Sequence, residues 1–155
     1  MRRLAFSAVV VALALALNLV CAWAAAKEET VEELKARVES ARPEDRADLC
    51  MRIAQHQLQN ADQLYIDGKV DQARAAVDDI VSYSEKARDA ARQSRKRLKN
   101  VEINVRKMAE KLRDIKRTLA FDDQPPVEAA IRRLEDVRTT LLKEMFAKDV
   151  KEEKK

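Results

Sequence analysis

The stretch VDQARAAVDDIVSYSEKARDAARQSRKRLKNVEINVRKMAEKLRDIKRTL, residues 70–119, decides how the rest of the chain is read. Within it Val70, Ala73, Val77, Ile80, Ser84, Ala87, Ala91, Ser94, Leu98, Val101, Val105, Met108, Leu112, Ile115 and Leu119 succeed one another at spacings of three and four. None of them is charged, and neither Gly nor Pro interrupts the run. Residues so spaced share one face of an α-helix. The pattern predicts a single helix over residues 69–120, about 75 Å long at the α-helical rise, with shorter helices folded back along it.

Those shorter helices have their own signatures. Thr30 followed by Glu33 has the form of a capping box and opens a first helix, 30–41, with Val31, Leu34, Val38 and Ala41 on one face. Pro43 separates it from a second helix, 44–67, where Ala47, Cys50, Ala54, Leu58, Ala61 and Tyr65 form a face that Ile53 and Leu64 broaden. Gly68, the only glycine, follows at the position where a helix favours the left-handed conformation. Pro125 and Pro126 stop the long helix and open a last one, 125–147, which carries Val127, Ala130, Ile131, Leu134, Val137, Leu141, Leu142, Met145 and Phe146 toward the core.

The expected fold is all-α: elongated antiparallel hairpins forming a bundle around one long central helix. Short turns place the second and last helices antiparallel along its two halves. They meet where the seam shrinks to Ser84, Ala87, Ala91 and Ser94. Such small residues serve either as a close helix contact or as the floor of a partner groove, and the first helix is placed to cover that junction. An uninterrupted seam also fits pairing with a second copy as a coiled coil, so a homo-oligomer is a further expectation.

Ala61, Leu64, Gly68, Ala73 and Val77 have the spacing of a tetratricopeptide unit, and residues 57–80 resemble a single such hairpin. The resemblance covers about one repeat. Gln57 stands where the repeat has an aromatic residue, and no second copy follows. It implies two antiparallel helices joined at a glycine, without the concave peptide-binding surface that several stacked repeats create.

Arg2 and Arg3, the apolar run 4–20 and the small residues Ala22, Ala24, Ala25 and Ala26 have the order of a secretory signal peptide, residues 1–26. The alternative is an uncleaved N-terminal anchor with the domain outside. Lipidation of Cys21 is a lesser anchoring route, disfavoured by the bulk of Val20 before it. The mature chain is then one helical domain, 27–147, with a charged tail, 148–155. It keeps a single cysteine, Cys50, which excludes an internal disulfide.

Charge carries the functional expectation. Without Arg2 and Arg3 the chain has 29 basic and 27 acidic residues, a net +2, yet residues 88–117 hold twelve basic against four acidic, a net +8. Arg88, Arg92, Arg95, Lys99, Arg106, Arg113 and Lys116 fall into one stripe beside the apolar seam. A concentrated positive field attracts anionic partners. For an exported chain these are an acidic protein, anionic lipid or a cell-wall polymer, and nucleic acid is not expected. The competing reading is a solvated face partly neutralised by acidic residues of the last helix such as Glu128, Glu135 and Asp136. Residues 44–71, with six acidic and three basic, are opposite in character and make head-to-tail association of copies a minor alternative.

Catalytic chemistry finds no foothold. His56 is the only histidine, and Cys50, six positions away, falls on another helix face, so no metal site is expected. Phosphate-cradling loops need glycines that the chain lacks. Asp78-Asp79 and Asp122-Asp123 read as surface and turn residues. No cofactor is implied. The leading expectation is a non-enzymatic interaction or scaffold protein of the cell envelope. The alternative is a periplasmic holdase chaperone, although the chain carries no paired Leu-Thr-x-x-Gln signature.

Overall fold

The structure, a computed structural model, describes residues 29–147. The signal-peptide and tail assignments, residues 1–26 and 148–155, lie outside them. Five α-helices pack together among the described residues, and no strand occurs there. They are α1 (Val31–Ser40), α2 (Pro43–Ile66), α3 (Val70–Ser94), α4 (Leu98–Thr118) and α5 (Gln124–Phe146), with a 3-10 turn at Phe121–Asp123 before α5.

The punctuation residues act as their chemistry dictates. Arg42 is extended (φ −62°, ψ 153°) because the ring of Pro43 excludes the helical region from the residue before it, and Pro43 then starts α2. Gly68 sits at φ 73° in the left-handed region. There the Gly68 N–H donates to Tyr65 O at 3.1 Å and the Lys69 N–H to Leu64 O at 2.9 Å, which satisfies the last carbonyls of α2. Leu119 and Ala120 are extended, and Pro125 and Pro126 occupy the first turn of α5.

The single helix predicted over residues 69–120 is not formed. The chain stops at Ser94 and restarts at Leu98, with Arg95 (φ 54°) and Arg97 (φ 65°) both left-handed. The Ser94 Oγ donates to Ala90 O at 3.0 Å and accepts the Lys96 N–H at 3.2 Å, taking up a backbone donor that the helix has abandoned. The seam spacing passes through the break unchanged, which is why periodicity does not reveal it. Burial does: between Ala91 and Leu98 no residue is buried, so that turn has nothing to hold it in a helix. A straight helix would also leave each half with a partner on one side only.

Side-chain pairs give the resulting directions. Glu44 with Lys96, Asp48 with Arg97 and Asp62 with Lys111 advance together along α2 and α4, which therefore run parallel. Arg74 with Asp123, Glu85 with Arg133 and Arg92 with Glu144 do the same for α3 and α5. Lys116 with Glu128 and Glu102 with Arg138 run in opposite senses, so α4 and α5 are antiparallel. Two helical hairpins, α2–α3 and α4–α5, thus lie side by side as a bundle. The short α1 packs on the first of them through Leu34 and Val38.

The core is continuous and aliphatic. Leu34, Ile53, Ile80, Val101, Leu112, Leu134 and Leu141 are among its fully buried side chains. Each such side chain contributes about 1.5–3 kcal/mol of hydrophobic stabilisation. On α2 the buried set includes Leu49 and Met51 beside the predicted Cys50 and Ile53, because α1, α3 and α4 all close on that helix. Phe146 departs from its expected place: it is 61% exposed. It is the last residue of α5, beyond Glu144, the final α5 side chain paired with α3.

Candidate functional site

The break redistributes the predicted basic stripe. Arg88 and Arg92 are on α3, Arg95 is in the turn, and Lys99, Arg106, Arg113 and Lys116 are on α4, so the seven do not line one helix. Most of them are engaged. Arg88 pairs with Asp89 at 2.8 Å, Arg92 with Glu144 at 2.9 Å and Arg106 with Glu110 at 3.3 Å. Arg113 pairs with Glu135 and Lys116 with Glu128. The Lys116 hydrogen bond holds the Glu128 carboxyl below the usual carboxylate range.

The other flank of α4 is matched to α2. Lys96 donates to Glu44 at 2.8 Å and lowers the pKa of that carboxyl, and Lys111, 2.8 Å from Asp62, has its own pKa raised by that hydrogen bond. The acidic excess of α2 and the basic excess of α4 thus find each other within the chain. Partial neutralisation by Glu128 and Glu135 is realised as well.

Arg95 and Lys99 are the exceptions. Both are exposed, and the side chain of neither makes a hydrogen bond or ion pair among the described residues. They bracket a turn in which two non-glycine residues hold left-handed backbones, at about 1–2 kcal/mol each. The first turn of α4 has no side-chain cap and no acidic residue, so its outward N–H groups, the positive end of the helix dipole, lie beside these cations. Lys96 and Arg97 extend the basic surface although each has an acidic neighbour.

The small-residue segment is closed. Ser84, Ala87 and Ala91 have no exposed surface, and the Ser84 Oγ donates to Ile80 O at 2.7 Å. Ser94 is part-buried at the turn. Ser84, Ala87 and Ala91 are helix contacts in the interior, and no partner groove opens at them.

Sequence reasoning missed the pair formed by Glu102 and Arg138. In the sequence Glu102 counts only as one of the four acidic residues of 88–117. It is 8% exposed and accepts a hydrogen bond from Arg138 Nε at 2.8 Å, which raises the guanidinium pKa. Its position one residue after buried Val101 was the available signal. Cys50 is wholly buried, and burial pushes its thiol up to about 11, so it is neither an exposed nor an activated nucleophile. Among the described residues no cluster of His, Cys, Asp and Glu is arranged to hold a metal ion, and no helix is long and apolar enough to cross a membrane.

Fold and surface together define, over the described residues, an all-helical bundle with an exposed basic turn at residues 95–97. No family model, characterised protein or solved structure matches the chain.

Proposed function

We propose that this is an exported, non-catalytic interaction protein of the cell envelope, which binds an acidic protein or an anionic envelope polymer through the basic turn at residues 94–99. The single observation that carries this reading is the unpaired state of Arg95 and Lys99 on a strained, exposed turn, in a chain that pairs the other five residues of its basic stripe. Strain of this kind persists only where the surrounding structure holds it, and it concentrates at functional segments. The uncapped start of α4 adds N–H donors for a carboxylate or phosphate group.

The test uses fluorescent polyglutamate as the acidic probe. Binding is expected at low salt, weakening as salt screens the contact. The Arg95→Glu/Lys99→Glu variant should lose it with helicity intact. Lys107→Glu, at an exposed and unpaired cation away from the turn, should retain it. Equal loss in both variants would reduce the turn to a share of diffuse charge and refute the proposal.

A further inference from the structure

The four long helices alternate in direction, so their connections collect at two ends of the bundle. One end holds the 95–97 turn, the start of α2 and the finish of α5. Among the described residues its unpaired cations are Arg95, Lys99 and Lys143, and Phe146 is exposed there. The other end holds the 67–69 and 119–123 connections. There Asp122 is exposed and has no ion pair among the described residues, and Asp71 is 99% exposed with only a 3.8 Å approach from Arg74. The same end carries two of the three most exposed large apolar side chains among the described residues, Ile66 at 73% and Phe121 at 84%, the latter beside Lys116 and Arg132.

The side chains left unpaired at the two ends are therefore opposite in sign, since the exposed cations of the second end, Lys69, Arg117 and Arg132, each have an acidic neighbour within 4 Å, and each end carries an exposed apolar side chain. We propose that the acidic partner of the basic turn is a second copy of this chain, docked head to tail: Arg95 and Lys99 of one copy meet Asp71 and Asp122 of the next, with Phe146 against Phe121 and Ile66. This rests on the reading of the turn as the contact surface. Of the other acids, Glu44, Asp48 and Asp62 are taken by Lys96, Arg97 and Lys111 within the chain, and the exposed, unpaired Asp78 and Asp136 lie along α3 and α5 and not in the connections at the ends. Such an interface joins different surfaces of the two copies, so it propagates into linear assemblies unless a ring closes. The end of a bundle two helices wide offers about 400 Å² per copy, below the standard size of stable interfaces, so association is weak and driven by concentration.

Sedimentation velocity of the full chain at low and high salt tests this. At low salt the mass should grow with concentration past the dimer, and high salt should reverse it. Arg95→Ala/Lys99→Ala disables one end and Ile66→Ala/Phe121→Ala the other, and each variant alone should associate about tenfold more weakly. All four residues are exposed, and unchanged thermal melts establish that the fold survives. Mixed, the two variants should form a one-to-one dimer and nothing larger, since one intact end remains on each. A wild-type chain that stays monomeric, or a mixture that gives no dimer, overturns the proposal.

The polyglutamate probe separates the two readings. If wild type binds the probe at the turn without self-associating, only the head-to-tail inference falls. If Arg95→Ala/Lys99→Ala binds the probe as wild type does, the turn itself is not the contact surface.

Discussion

Replacing Arg95 by glycine reverses the usual sign of a helix-to-glycine substitution. Arg95 holds φ 54°, and its side chain has no partner among the described residues to lose. A left-handed backbone costs an L-residue about 1–2 kcal/mol that glycine does not incur. Against this, glycine loses about 0.5–1 kcal/mol more conformational entropy on folding. The balance is a gain of about 0.5–1 kcal/mol, or a rise in Tm of about 2–4 °C for a bundle of this size. In an unbroken helix through residue 95 the same substitution would cost about 1 kcal/mol. Lys107→Gly, exposed in the interior of α4, supplies that reference and should lose this amount. Arg97→Gly also relieves a left-handed residue but gives up the 3.2 Å ion pair with Asp48, worth about 0.5 kcal/mol at that exposure, and should come out near neutral. Urea and thermal unfolding followed by circular dichroism measure all three. An Arg95→Gly loss equal to that of Lys107→Gly would mean that the helix continues through the turn, and the bundle topology would fall with it.

Other substitutions probe the interior and the ion pairs. Leu134→Ala, at a position with no exposed surface in α5, should cost about 2–5 kcal/mol in urea unfolding. The Cys50 thiol is raised in the folded state, so stability should be full below about pH 9 and decline as pH climbs toward 11, by about 2–3 kcal/mol; Cys50→Ala should flatten that decline relative to the parent. Glu128 has a lowered folded pKa, so its contribution is present above the ordinary carboxylate pKa and disappears as acid protonates it, and Lys116→Met should reduce the acid sensitivity of the Tm. Glu102→Ala removes a nearly buried acceptor from Arg138 and should destabilise more than Glu110→Ala, whose pair with Arg106 is exposed.

Local chemistry was legible wherever one residue decides one backbone conformation. Gly68 marked the α2–α3 turn, Pro43 the start of α2, and Pro125-Pro126 the opening of α5. The aliphatic faces of α3, α4 and α5 were also legible, because a side chain at helical spacing has only one core to face. The turn at 95–97 was not. Arginine is a good helix former, and Ser94 and Leu98 keep the spacing of the seam. What disfavours the helix there is the lack of anything buried over residues 92–97, and that follows from where the other helices lie.

The basic stripe shows the same division. Composition located the positive charge on residues 88–117 but not its neutralisation, since Glu44, Asp48 and Asp62 are brought to α4 only when the chain reverses. The sequence by itself determined that this protein is helical, where most of its helices start and stop, and which faces they bury, because those properties depend on residues within a turn or two of one another. Tertiary structure alone decided that the central run is two helices, that most of its cations are spent on internal pairs, and that Arg95 and Lys99 are left exposed. Those outcomes depend on contacts between residues about fifty positions apart, whose pairing is fixed only when the two hairpins share one core.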